Sequence, residues 1–177
     1  MSTAPPDITA DLPGEHLVRE LAWVHDLLRN DLARLRVLAD RVATNATPES
    51  IRAEIAELQT TSPLWQLRGN CLAYCRFTHS HHTHEDVSLF PALRAFDPAL
   101  ESVVDCLEAD HRLVSAICDE IEAGATRLVE DDTTATRRRI VDSVGALAQH
   151  LLAQLDYEED AISPALRQWQ SWPLMRS

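Results

Sequence analysis

The chain has 177 residues, 45% of them hydrophobic and only four of them glycine, which is enough for one compact domain with its own core. Sixteen basic against twenty-eight acidic residues leave a net charge of −12, which repels nucleic acid and anionic membranes and offers no basic stripe for phosphates. No stretch reaches the roughly twenty uninterrupted apolar residues of a membrane span, and Met1 to Asp11 has neither a basic start nor an apolar core, so a cytoplasmic protein is expected.

Residues 1–14 are rich in Pro, Ser, Thr and Asp and predict a flexible tail. Leu17, Leu21, Val24, Leu28, Leu32, Leu35 and Leu38 then recur at helical spacing and predict a long first helix, with His25 on its apolar stripe. Thr44 to Thr47 ends it, and Pro48 with Ile51, Ile55 and Leu58 predicts a short extra helix in the first connection. A second long helix is expected from about Leu64 to about Leu93, with Ser62 as N-cap and Pro63 at its first position. Asp97-Pro98 breaks the chain again. The third helix turns Val104, Leu107, Val114, Ile117 and Ile121 inward, His111 among them, with Gly124 near its end.

Thr133 or Thr134 caps the fourth helix, whose inward residues are Ile140, Val144, Leu147, Leu151 and Ile162, and Pro164 bends or ends it. Strand signals are absent. The pattern predicts an all-α, up-down-up-down four-helix bundle over residues 15–167, followed by a tail over 168–177. In that tail Trp169 and Trp172 pack the bundle end or cover a neighbouring subunit, which leaves the oligomeric state open. Cys71, Cys75, Cys106 and Cys118 show no CxxC spacing and read as reduced core thiols.

Four histidines fall within six residues, at His79, His81, His82 and His84, followed by Glu85 and Asp86. At about 100° per residue, His81, His82 and Glu85 share the side of Cys71, Tyr74, Cys75, Thr78 and Leu89, while His79 and His84 point away from it. A buried carboxylate beside two buried imidazoles is costly to desolvate unless charges are paired or a cation is coordinated. The other helices add His25, His111, Gln154 and Glu158 to the same interior, more donors than one tetrahedral ion requires, and a set that suits two metals bridged by carboxylates. Imidazole with carboxylate suits iron, and also manganese or zinc. Neither a Gly-x-Ser-x-Gly elbow nor a glycine-rich phosphate loop is present, which sets nucleophilic hydrolases aside.

The run His25-Asp26-Leu27-Leu28-Arg29, the run His81-His82-Thr83-His84-Glu85-Asp86 with Leu89-Phe90-Pro91, the triplet Asp110-His111-Arg112 and the run Leu155-Asp156-Tyr157-Glu158-Glu159 together resemble the hemerythrin-like family of HHE cation-binding domains, in its actinobacterial form. The resemblance runs from about Glu15 to about Leu166. It implies two iron ions joined by an oxo or hydroxo bridge, with Glu85 and Glu158 as bridging carboxylates, His25 and His81 on one iron and His111 on the other. His82 stands where some relatives offer an additional ligand.

One position departs from the family. Its fourth helix usually carries a second HxxxE, and here Gln154 stands where that histidine would be. Gln154 coordinates weakly through its amide oxygen, leaves an open coordination position, or leaves the second site poorly occupied. His150 lies one turn earlier on the same face, about 6 Å along the axis, and is expected to line the approach to the site rather than to ligate, direct ligation being the other reading. Tyr157 falls nearer the edge. Ser115 replaces the histidine that would follow His111 by four residues, which disfavours an oxygen carrier.

The small partner expected is dioxygen, peroxide or nitric oxide. A di-iron protein that reacts with such a molecule is the reading preferred, as a peroxidase-like, catalase-like or nitric oxide-reactive oxidoreductase. A sensor that binds without turnover and a single-metal structural or storage bundle are the alternatives.

Overall fold

The computed structural model describes residues 12–44, 63–128 and 130–173. The chain runs through α1 (Glu15–Thr44), α2 (Pro63–His84), a π turn (Glu85–Leu89), α3 (Phe90–Phe96), a 3-10 turn (Pro98–Leu100), α4 (Glu101–Arg127) and α5 (Thr134–Leu166). Helix α1 packs on α2, α2 on α4, α4 on α5, and α5 closes the ring against α1, the neighbour order of an all-α four-helix bundle. Among the described residues there is no strand, and no helix is long and apolar enough to cross a membrane. The short helix expected around Ile51, Ile55 and Leu58 and the N-cap at Ser62 lie outside the described residues.

The apolar stripes divide into two clusters. One holds Leu28, Leu32, Leu35, Val114, Ile121, Val144, Leu151 and Leu155, and the other holds Leu17, Leu21, Leu89, Phe90, Leu107 and Ile162. Between them lies a polar layer, because each helix places a donor at core spacing. His25 sits four residues after Leu21 and three before Leu28, His111 four after Leu107 and three before Val114, and Glu158 three after Leu155 and four before Ile162.

The second long helix is not continuous. It widens into a π turn that begins at Glu85, where the Phe90 amide bonds back to the Glu85 carbonyl. Pro91 lacks an amide proton for the carbonyl of Val87, four residues back, and the widened turn falls at that place. Its consequence is that Glu85, Ser88, Leu89 and Phe90 all turn inward.

Thr133 is the N-cap of α5, its hydroxyl accepting from the Thr136 amide. Pro164 does not break α5, which continues to Leu166, since a proline this close to the C-terminus removes little of the ladder. Helix α4 likewise passes Gly124 and ends at Arg127. Cys71, Cys75 and Cys118 are core thiols, but Cys106 is exposed, since it lies between the inward Val104 and Leu107 on the outer face of α4. The tail docks on the bundle end: Trp169 meets Phe96 edge to face with centroids 5.8 Å apart, and the Trp172 indole donates to Glu20 at 2.6 Å.

Candidate metal centre

The polar layer converges on Glu85. One oxygen lies 3.3 Å from His81 Nε2 and the other 3.5 Å from His111 Nε2. Two donor groups result, His25 with His81 and Glu85, and Glu85 with His111 and Glu158, the donor atoms of each lying within 4.8 Å of one another. Glu85 belongs to both. His25 Nε2 comes within 3.9 Å of Glu158 Oε2, so the second carboxylate also reaches toward the first group.

Two more side chains crowd the second group. His82 lies flat on His111, with ring centroids 3.9 Å apart and planes 6° from parallel. Gln154 Nε2 donates to Glu158 Oε2 at 2.9 Å and approaches His111 Nε2 at 3.3 Å. All of these side chains are buried except His81, whose side chain keeps 10% of its surface.

Burial sets the protonation of the layer. It holds His25 and His81 down at about 3, with the Arg29 charge helping at His25 and the charge of His25 helping at His81. His82 is pushed down to about 2 by burial and then by His111, and His111 is lowered by burial against its Asp86 bond. Burial and the mutual repulsion of Glu85 and Glu158 act the opposite way on Glu85, whose carboxyl is held well above the usual range. Burial raises Glu158 as well. The bare layer is therefore neutral imidazoles with carboxyls that retain protons.

The ring nitrogens that face the layer are aimed from behind. His111 Nδ1 bonds Asp86 Oδ1 at 2.7 Å, and His25 Nδ1 bonds Glu159 Oε1 at 2.8 Å, which leaves each Nε2 facing the layer. Arg29 anchors Glu159 at 2.8 Å and Asp156 at 2.7 Å. Asp86 and Glu159, each the second member of an acidic doublet, are functional residues that the apolar spacing of the sequence does not single out. In Glu85-Asp86 and in Glu158-Glu159 the first acid turns inward and the second reaches a histidine on the next helix.

The structure brings His25, His81, His82, Glu85, His111, Gln154 and Glu158 together, and it leaves His150 exposed, away from them. His150 sits roughly 100° from the centre of the Leu147–Leu151 stripe, so its turn carries it to the helix edge. His84 is exposed, and His79 sits at the rim beside Asp119 at 3.4 Å. Tyr157 is exposed at the edge.

A cation fits this donor set. His25 Nε2, His81 Nε2, both His82 nitrogens, both Glu85 oxygens, Gln154 Oε1 and Glu158 Oε1 are buried without a hydrogen-bond partner. Unpaired buried donors and acceptors in such number would each cost about 1–3 kcal/mol if nothing met them. The family description of the hemerythrin HHE cation-binding domain matches residues 16–166. The chain belongs to the hemerythrin HHE cation-binding family. No curated protein and no solved structure matches it. The matched family is one of cation-binding domains, and the two donor groups sharing Glu85 are groups of this chain that could hold a cation.

Proposed function

We propose that the bundle holds two iron ions and uses them on a small oxidant, namely dioxygen, a peroxide or nitric oxide. The observation that carries this reading is the pair of donor groups sharing Glu85, with Glu158 as the second carboxylate between them. In this assignment His25 and His81 would hold one ion and His111 the other, with Glu85 and Glu158 shared between them. His82 and Gln154 border the second ion with unpaired atoms and complete its surroundings in place of the missing histidine. Manganese or zinc would accept the same donors. A reduced iron pair, when bound, supplies electrons and an open coordination position for the small molecule.

The chain's own residues prepare that position. Asp86 and Glu159 fix the tautomers of His111 and His25, so that both imidazoles arrive as neutral donors. Glu85 and Glu158 lose their retained protons as the cations enter, which makes metal uptake release protons. Leu21, Leu89, Phe90 and Leu107 keep bulk water from the layer. His81, with 10% of its side-chain surface exposed, is the least buried of the set and marks the side from which a small molecule reaches it.

Gln154 favours a second reading, a bundle with one tightly held ion and a weak partner site, since its group offers one firmly placed imidazole against two in the other. Elemental analysis of protein grown with iron, with absorption spectra before and after peroxide, decides between them. About two irons per chain with bands that change on peroxide are expected. One ion with a silent spectrum overturns the di-iron reading.

A further inference from the structure

Four large apolar side chains stand in water on the outer side of α1, α2 and the π turn. Trp23 is 63% exposed, Leu27 39%, Phe77 45% and Val87 62%. Trp23 and Leu27 lie one turn apart on α1, while Phe77, Ser80, His84 and Val87 follow one another at helical spacing along α2 and the π turn. Since α1 packs on α2, the two stripes run side by side and line one groove of about 670 Å³.

The groove carries no fixed charge of either sign. Its lining includes no carboxylate, lysine or arginine, and its polar members are Ser80, Thr83 and the imidazoles of His79, His81 and His84. Neighbouring acids are held by other groups: Glu20 by the Trp172 indole, Asp26 by Arg29, Asp86 by His111 and Asp119 by His79. Two copies of a chain with net charge −12 repel one another over most of their surface, and a face without carboxylates is where they meet at least cost. An acidic or basic partner finds no opposite charge here, whereas a two-fold axis brings this face against an identical one.

The area agrees with such a contact. The four exposed side chains offer about 400 Å² of apolar surface, the scale of patches that mark interaction sites. A stable interface takes about 800 Å² from each partner, a little over half of it apolar, so this face supplies most of the apolar share.

We propose that the groove face of α1 and α2 is the contact between two copies of this chain related by a two-fold axis, with Trp23 and Phe77 of each copy as its aromatic anchors. The contact covers one flank of His81 and leaves the cavity between Leu21, Leu89 and Trp172 on the other. It stands on the outer surface of the bundle and does not depend on which cation the interior holds.

Sedimentation velocity on the untagged full chain, at about 1 to 100 μM, tests it. A species of twice the chain mass is expected, in concentration-dependent equilibrium with single chains. Trp23→Glu and Phe77→Glu each put a carboxylate into the contact twice, and each weakens dimerisation roughly tenfold or more. Both side chains lie outside the buried clusters, and circular dichroism checks that the variants are folded. Leu113→Glu, at an exposed position of α4, and Trp172→Ala, at the bundle end, leave the dimer unchanged. A wild type that stays a single chain across this range leaves the face to a different partner and overturns the proposal. So does a dimer that survives both glutamate variants, or one that is lost in Trp172→Ala alone, which would place the contact at the tail.

Discussion

Asp86 Oδ1 lies 2.7 Å from His111 Nδ1, a bond from the α2–π turn junction to α4 that leaves His111 Nε2 facing Glu85. An imidazole fixed in this way needs no reorientation when a cation arrives. Asp86→Ala is expected to lower metal affinity at the His111 group about 10–100-fold while leaving the His25 group filled. Glu159→Ala should show the mirror image, weakening the His25 group. Competition with a chelator of known affinity measures both, and equal loss from both groups in either variant would contradict the assignment.

The angular division of the histidine cluster makes a second prediction. His84 is exposed and His79 lies at the rim, whereas His82 is buried with both ring nitrogens unpaired. His84→Ala should keep the full metal content, and His82→Ala should reduce occupancy at the His111 group. Elemental analysis of the purified variants reads both, and metal lost from the His84 variant would contradict the placement.

The protonation of the bare layer predicts how metal-free protein responds to pH. His25 and His81, held at about 3, and His82, at about 2, are neutral in the fold but charge near 6.5 when it opens, so the unfolded chain binds more protons below 6.5. Their contribution to stability is present above 6.5 and falls away as pH drops from 6.5 toward 3. Glu85 and Glu158, raised from 4.5, act with the opposite sign: their contribution is full below 4.5 and declines as pH rises above it. Thermal melts of chelated protein should therefore peak at mildly acidic pH and fall on both sides. Bound metal should remove the loss on the alkaline side, because both carboxylates are then ionised against a cation.

Gly14 makes a close approach that no side chain tolerates. A Cβ there would stand 1.8 Å from the Leu166 carbonyl oxygen, while the Gly14 amide bonds the Arg167 carbonyl at 3.0 Å. Gly14→Ala should push the start of α1 off the end of α5, costing about 2 kcal/mol and lowering Tm by about 4–8 °C in a calorimetric scan. An unchanged Tm would mean that this joint contributes nothing to the fold.

Most of the bundle was legible because each helix repeats its apolar residues at one period, and His25, His111 and Glu158 continue that period without interruption. The π turn was not legible, since the widening depends on where Pro91 meets a missing amide partner and not on hydrophobic spacing. That His25, His82, Glu85, His111, Gln154 and Glu158 turn inward was readable from helix angles, whereas His150, expected on the same face as Gln154, is exposed. Asp86 and Glu159 escaped because each is half outside the core and acquires its role only through a histidine on the neighbouring helix. Trp172 was expected at the bundle end, but its partner Glu20, 152 residues away in the chain, was not readable from the sequence.

The shared carboxylate is the centre of this account, so the most direct measurement is iron per chain in the wild type and in Glu85→Ala, with circular dichroism to confirm that both are folded. About two irons are expected in the wild type and loss of both in a folded Glu85→Ala variant, because that residue belongs to both donor groups. A folded variant that keeps one firmly bound iron would contradict a bridging role for Glu85.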